Sequence, residues 1–473
     1  MGKTKELAKN TAIILIGKIF TQFLSFFLLP LYTHFLPASD YGLVDLLLTY
    51  ITLLAPAITI QQEMATFRFL IDARNDEKEI ANIVRTSFIS CSKRLLLFVI
   101  PCIAVALFVR WHYLYLVIAA GGAMIFSNLL LQIARGMGEN IKYSIASVLT
   151  GALTISSNLL LICGFHFGAE SVLISMALAN VICSLYLAIS LRVPHYLRIG
   201  KNNKRLRKDM LKFSWPLVPN SISWWFINTS DHTIVSTFLG TAVNGIYTVA
   251  LKFPSIIGSL LSITVLSWTE SASLHINDSD RDEFFSSVAN IFIKAFVGLS
   301  VLIIAAIPFV FNIIIGEEYR AAYEYVPIIM ISVLMSCIVG IYSAIYVAKK
   351  MTKQVASISA VSAIINIVIN ISLIGIVGLY AAPISTVLAY AFMAIYRHYD
   401  LKKYVRIKYK MADVIPAVVC FTVVALLYYS GNFYCYVIGA IIAAIYAIIS
   451  NKHMIRNMLR YVVTKKNKAV IRR

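Results

Sequence analysis

Apolar runs of about 20 residues, divided by short polar breaks, recur along the whole of this 473-residue chain. A helix of that length crosses the hydrocarbon core of a bilayer. Lipid offers no hydrogen-bonding partner, so only helices and closed barrels span it. Barrel strands would be about 10 residues long with alternating hydrophobicity. These runs are continuous and twice that length. The fold class expected is therefore an all-α integral membrane protein. Fourteen transmembrane helices are expected, centred near residues 22, 54, 98, 123, 153, 179, 227, 258, 301, 336, 366, 389, 422 and 441. Charged residues make up 14% of the chain. Soluble domains carry about 25%, so too little polar surface exists to coat several water-facing domains. The mean hydropathy of +0.80 agrees. The first run, from Thr11 to Tyr32, is longer than a signal-peptide core and is read as an uncleaved first helix. Glu6 stands where a myristoylation signal needs Ser or Thr. The seven cysteines lie singly in apolar segments, as small fillers, without metal-ligand spacing.

Basic residues orient the spans. With the N-terminus in the cytoplasm, the external loops hold two of the 42 Lys and Arg, Arg110 and Arg320. Five more, Lys18, Lys93, Arg94, Lys252 and Lys294, fall within or at the ends of spans, and the rest are cytoplasmic. That asymmetry follows the positive-inside rule. It places both termini in the cytoplasm and requires an even number of spans. The net charge of +20 then reflects topology and attraction to anionic headgroups rather than nucleic-acid binding.

A duplication organises the chain. Phe35-Leu36 precedes Gly42 as Phe238-Leu239 precedes Gly245, an offset of 203. Asp45 and Thr49 align with Thr248 and Lys252 at the same offset. Ser147, Thr154 and Asn158 align with Ser359, Asn366 and Asn370 at 212. Two six-helix bundles are expected as parallel repeats: residues 1–200 with spans 1–6, and 201–410 with spans 7–12. Spans 13 and 14 (411–450) are two extra C-terminal helices, followed by a basic cytoplasmic tail, 451–473. Transporters built from repeats bind substrate between them.

Several spans carry polar stripes. Lys18, Thr21, Gln22 and Ser25 share one face of span 1. Asp45, Thr49, Thr52, Thr59 and Glu63 line span 2; Asn220, Trp224, Asn228 and Asp231 line span 7; Thr248, Lys252, Ser255, Ser259 and Ser262 line span 8. Spans 5 and 11 carry the repeated Ser, Thr and Asn. Such neutral residues also bond across packed membrane helices, so packing and a polar cavity both fit. Ionised residues are costlier, about 2.5–3.5 kcal/mol near the bilayer centre. Lys18 and Lys252 each lie roughly 10 Å deep, either lining a cavity or snorkelling outward. Arg94 and Lys294, repeat partners at an offset of 200, face a cavity or anchor the interface. Glu63, Arg68 and Glu270 sit near cytoplasmic ends, as a gate or as plain interfacial charges. Prolines inside spans bend helices, either for alternating access or as static kinks.

No catalytic constellation, metal cluster, P-loop or nucleotide cradle emerges, and no cofactor is expected. The cytoplasmic segments are too short to fold an ATP-hydrolysing domain.

Phe213-Ser214-Trp215-Pro216-Leu217-Val218-Pro219-Asn220, Asp231, Phe238-Leu239-Gly240 and Gly245 to Lys252 closely resemble the Wzx-type polysaccharide-export flippases. Phe35-Leu36, Tyr41-Gly42 and Ala65-Thr66-Phe67-Arg68-Phe69 resemble the same family. Its superfamily also holds the MATE drug exporters and the lipid II flippase MurJ. His232 departs from the Arg that the family commonly has there, which weakens phosphate binding at that position. The resemblance covers most of the chain, with spans 13 and 14 matching only in position and hydrophobicity.

It implies a flippase, not an enzyme, in the bacterial cytoplasmic membrane. Such a protein moves undecaprenyl-diphosphate-linked oligosaccharide to the outer leaflet for O-antigen, capsule or exopolysaccharide. Membrane lipid, a polysaccharide polymerase and chain-length machinery are the implied partners. Under that reading, Lys18, Lys252, Arg94 and Lys294 hold the diphosphate, because a diphosphate needs cations shielded from lipid. Gln22, Asn228, Ser255, Asn366 and Asn370 complete the substrate contacts, and Asp231, Glu63, Arg68 and Glu270 serve ion coupling or gating. A MATE-like cation exporter is the alternative, but its cavity should be rich in carboxylates, whereas the deep charges here are mainly lysines. A membrane enzyme of lipid-linked sugar metabolism would need a large polar loop.

Overall fold

The computed structural model describes residues 26–349 and 351–470. Lys18 and Gln22 lie outside the described residues. A short apolar helix, α1 (Phe26–Phe35), leads into α2 (Ala38–Thr59) and α3 (Gln62–Asp72). Then follow α4 (Glu77–Val109), α5 (His112–Gly136), α6 (Asn140–Leu159) and α7 (Glu170–Ser190), with a π turn at Leu160–Gly164. Two shorter helices, α8 (Val193–Ile199) and α9 (Lys204–Ser214), precede α10 (Leu217–Leu239) and α11 (Thr241–His275). The remainder is α12 (Arg281–Ile314), α13 (Ala322–Ala348), α14 (Thr352–Val377), α15 (Ala381–Leu401), α16 (Met411–Tyr428) and α17 (Phe433–Val470). Every expected centre after the first falls in one of these helices, and no strand occurs among the described residues.

Eleven of the described segments are long and apolar enough to cross a membrane, so the chain is a multi-pass membrane protein. Two expected spans, α14 and α15, form one continuous apolar segment, Lys353–Leu401, turning at Gly378–Tyr380. Helix α10 is not among the eleven. Its Asn, Ser, Asp and His residues lower its hydropathy, so it depends on helical neighbours rather than lipid.

Side chains decide where helices start. The Asp76 carboxylate accepts from the backbone N–H groups of Lys78 (2.9 Å) and Glu79 (3.1 Å) and so caps α4. Asn203 caps α9 in the same way. A capping side chain satisfies N–H groups that have no partner within the helix. Between α10 and α11 the turn is the single residue Gly240, at φ 94°, a conformation that a Cβ disfavours.

The described chain divides into two compact units, one ending at Thr248 and one beginning at Val249, both sharing α11. In the first unit, α5 packs on α7, α6 on α7, α4 on α5 and α5 on α6. In the second, α13 packs on α15, α14 on α15, α12 on α13 and α13 on α14. The same neighbour map occurs twice, as a duplicated chain requires. Helices α16 and α17 have no counterpart and pack on α12. Tyr323 and Tyr428 fasten α16 to α13: their rings stack 4.0 Å apart, and each hydroxyl donates to the other's carbonyl (2.9 and 2.7 Å).

Candidate functional site

Two polar arrangements in the first unit stand out. One joins α2, α10 and the first turns of α11. Gly42 and Gly245, equivalent in the repeat, meet backbone to backbone. A Cβ on Gly42 would fall 1.9 Å from the Thr241 carbonyl oxygen, and one on Gly245 would fall 2.3 Å from that of Ala38. Only glycine permits this approach. One turn further along, the repeat-equivalent pair Asp45 and Thr248 is bonded, the Thr248 hydroxyl donating to Asp45 Oδ2 at 2.8 Å. His232 Nδ1 lies 2.8 Å from the same oxygen and 3.1 Å from Asn244 Oδ1. Two acceptors on one ring nitrogen place the proton on Nδ1. The Asn244 amide donates to the Gly42 carbonyl at 2.8 Å, and the Tyr247 hydroxyl donates to Asp231 at 3.3 Å. One buried carboxylate, Asp231, and one partly buried carboxylate, Asp45, therefore flank one histidine. A buried charge is tolerated only when paired or hydrogen-bonded, and this cluster supplies both. It can hold a proton or a small cation, or bind α2 to α10 and α11.

The second arrangement is a break. Span 2 is not continuous: it divides at Ile60 and Gln61, both at φ 52°. Left-handed backbone costs about 1–2 kcal/mol per L-residue, and a β-branched Ile makes it rarer still. Pro56 prepares the break by removing a backbone donor. Arg94 of α4 takes up the freed polar groups. One of its guanidinium nitrogens donates to the Thr59 carbonyl at 2.6 Å and to Gln62 Oε1 at 3.1 Å. Both acceptors are neutral, and no carboxylate lies within ion-pair distance of Arg94 among the described residues. Glu63, in the first turn of α3, interacts with the Thr59 hydroxyl and with the Arg94 charge. Arg207 of the basic helix α9 adds a second positive field at Arg94.

The other expected residues distribute unevenly. Lys252 and Ser255 are half-buried on α11, beside the helix-interior Pro254. The Ser255 hydroxyl bonds the Lys252 carbonyl at 2.7 Å. Asp231 is buried in the cluster above. For Asn228 the structure describes the helical backbone but not the side chain. Lys294 is partly buried and pairs with Asp413 of the appended helix α16 at 3.3 Å. Asn366 and Asn370 are 1% and 0% exposed, and Asn366 bonds Ser385 and Thr386 of α15. Their stripe packs α14 on α15, as Asn158 and Ser175 are buried in α6 and α7. Arg68 is exposed and pairs with Asp72 at 2.6 Å, and Glu270 is exposed on α11. Exposed pairs of this sort contribute about 0–1 kcal/mol.

Sequence reasoning missed Asn244, Gln62 and the pairing of His232 with Asp45. The available signal was the aligned Gly42/Gly245 pair, since glycine conserved between two repeats marks close approach. It also missed Arg397, 1% exposed, which ties three helices of the second unit together. It bonds Val339 and Ser343 of α13 and Ser359 of α14, with its guanidinium 5.7 Å from the Tyr346 ring centroid.

Comparison with known proteins follows this geometry. The family model described as polysaccharide biosynthesis protein matches residues 7–268, more than half of the chain. No curated relative matches. Among solved structures, the lipid II flippase MurJ in an inward closed conformation superposes with a TM-score of 0.66 at 14% identity, covering 94% of this chain and 99% of that one. An inward-facing multidrug resistance MATE family transporter of the MOP superfamily gives 0.64 at 16%, covering 84% and 95%. A MOP superfamily transporter from Pyrococcus furiosus, described by a binding pocket of reverse polarity, gives 0.56 at 15%, covering 84% and 96%. At these identities the likeness is one of fold. With the family match added, the chain is a member of the polysaccharide biosynthesis protein family, carried on a MATE/MOP-like fold.

Proposed function

We propose that the protein is a flippase for undecaprenyl-diphosphate-linked oligosaccharide, moving it from the inner to the outer leaflet of a bacterial cytoplasmic membrane by alternating access. The reading includes fourteen spans with both termini cytoplasmic. The observation that carries it is Arg94: a cation inside a candidate membrane span, hydrogen-bonded among the described residues to neutral oxygens at a helix break. A guanidinium so placed is matched to an incoming phosphate, which it grips through charge-assisted bonds. Arg207 strengthens the positive field on that side. Lys18 and Lys252 are assigned to the same diphosphate, and Asn228 and Ser255 to the sugar. Glu63, within the Arg94 field, and the Asp45–His232–Asp231 cluster are assigned to gating or ion coupling. Substrate supply belongs to membrane glycosyl-phosphate transfer, and a polymerase with chain-length machinery consumes the product.

The test is Arg94→Gln and Arg94→Lys in cells that depend on this protein. Arg94→Gln is expected to remove most surface polysaccharide at normal protein level, and Arg94→Lys to restore part of it. Full polysaccharide with Arg94→Gln would remove the diphosphate role.

A further inference from the structure

The second unit contains a groove unrelated to Arg94. It occupies about 440 Å³ along one face of α15, lined by Phe392, Ile395, Tyr396, Tyr399, Asp400 and Lys403. The spacing of three, four, seven and eight keeps these residues on a single helical stripe. From Phe392 to Lys403 the stripe runs roughly 16 Å at 1.5 Å per residue. Its character changes along that length. The inner end is apolar, with the Phe392 and Tyr396 rings 6.1 Å apart. The outer end, where the apolar segment stops at Leu401, carries one acid and one ammonium 3.0 Å apart. Ile395, Tyr396 and Tyr399 are exposed. These three side chains face outward, while Asp400 at the edge of the stripe touches α13 through Tyr346.

Asp400 is held in place. The Tyr346 hydroxyl of α13 donates to one carboxylate oxygen at 2.6 Å, while Lys403 takes the other. The carboxylate in turn keeps the exposed Lys403 ammonium above its ordinary range, chiefly through their hydrogen bond. A fixed anion, an exposed cation and two tyrosine faces thus sit where the apolar segment meets the basic Lys402–Lys410 stretch. An anionic headgroup suits Lys403 but is repelled by Asp400. A zwitterionic headgroup with a primary ammonium meets both.

We propose that this groove binds an aminophospholipid of the phosphatidylethanolamine type. The lipid ammonium donates to Asp400 and lies against the Tyr396 and Tyr399 rings, a favourable site for a cation. Its phosphate takes Lys403, which swings from Asp400 on its long stem. One acyl chain runs along Ile395 and Phe392. Methylation of the ammonium, as in phosphatidylcholine, removes the donors that Asp400 needs while leaving charge and phosphate unchanged.

The experiment is native mass spectrometry of the full chain released from vesicles containing equal phosphatidylethanolamine, phosphatidylcholine and phosphatidylglycerol. The wild type is expected to retain phosphatidylethanolamine several-fold over the other two. Asp400→Asn is expected to bring it down to the phosphatidylcholine level, and Lys403→Gln to lower both. Tyr399→Ala, which leaves the Tyr346–Asp400 bond intact, provides a second variant and is expected to weaken phosphatidylethanolamine retention. Equal retention of the three lipids by the wild type, or an unchanged preference in Asp400→Asn and Tyr399→Ala, would overturn the proposal. A preference for phosphatidylglycerol would also overturn it, because the basic stretch alone would then recruit lipid.

Discussion

His232 shows how much one residue does in this fold. Its Nδ1 proton is shared between Asp45 and Asn244, and Asn244 passes the connection to the Gly42 carbonyl. Removing the imidazole takes the Nδ1 donor from the Asp45 carboxylate, while the Thr248 hydroxyl still donates to it. Losing one partner of a buried polar pair costs about 1–3 kcal/mol. His232→Leu is therefore expected to lower stability by that amount, read as a fall in the detergent-solubilised melting temperature. Adding Asp45→Asn to it should cost much less than the two single changes summed, because contacting residues are coupled. Additive losses would show that the pair is not a unit. The sequence presents His232 only as a departure from the family pattern, because nothing in the one-dimensional string places residue 232 beside residue 45. Asp231 and the Asp45 stripe were legible, since an acid in an apolar run needs a reason. Lys294 was visible for the same reason, yet its partner Asp413 lies on an appended helix outside the repeat, where no alignment points.

At the level of elements, the all-helical membrane architecture was legible because lipid enforces about 20 apolar residues per crossing. The break in span 2 was not. In the sequence Gln61, Gln62 and Glu63 read only as the polar end of the span, and it is the backbone that shows Ile60 and Gln61 left-handed. Likewise the Asn366 and Asn370 stripe reads identically in the sequence whether it lines a cavity or a helix interface; both residues are buried, with Asn366 bonded to α15. The α2–α11 crossing is the element with a mechanical consequence. With Gly42 and Gly245 in backbone contact and Asp45 bonded to Thr248, the crossing is closed. Under the alternating access proposed above, it is expected to open. The pair Asp45→Cys with Thr248→Cys, in a chain whose seven native cysteines are replaced by Ala, is expected to form a disulfide on mild oxidation. Transport should stop in the crosslinked protein and return on reduction. Undiminished transport by the fully crosslinked protein would mean that this crossing never moves.

For the whole molecule, one neighbour map occurs in both units, for α4–α7 and for α12–α15, while α16 and α17 pack on α12. Fold alone does not choose between a lipid-linked anion and a cationic drug, since the chain superposes comparably on a MurJ flippase and on a MATE transporter. The choice rests on charge: Arg94 at a helix break, bonded to neutral oxygens, favours an anion. The most direct measurement places the purified protein in vesicles with a fluorescent undecaprenyl-diphosphate oligosaccharide and follows its protection from a membrane-impermeant quencher. The account predicts leaflet exchange faster than in protein-free vesicles by about tenfold or more, a barrier reduction near 1.4 kcal/mol, and loss of that gain with Arg94→Gln. No acceleration of the oligosaccharide, with proton- or sodium-driven movement of a cationic dye in its place, would contradict it.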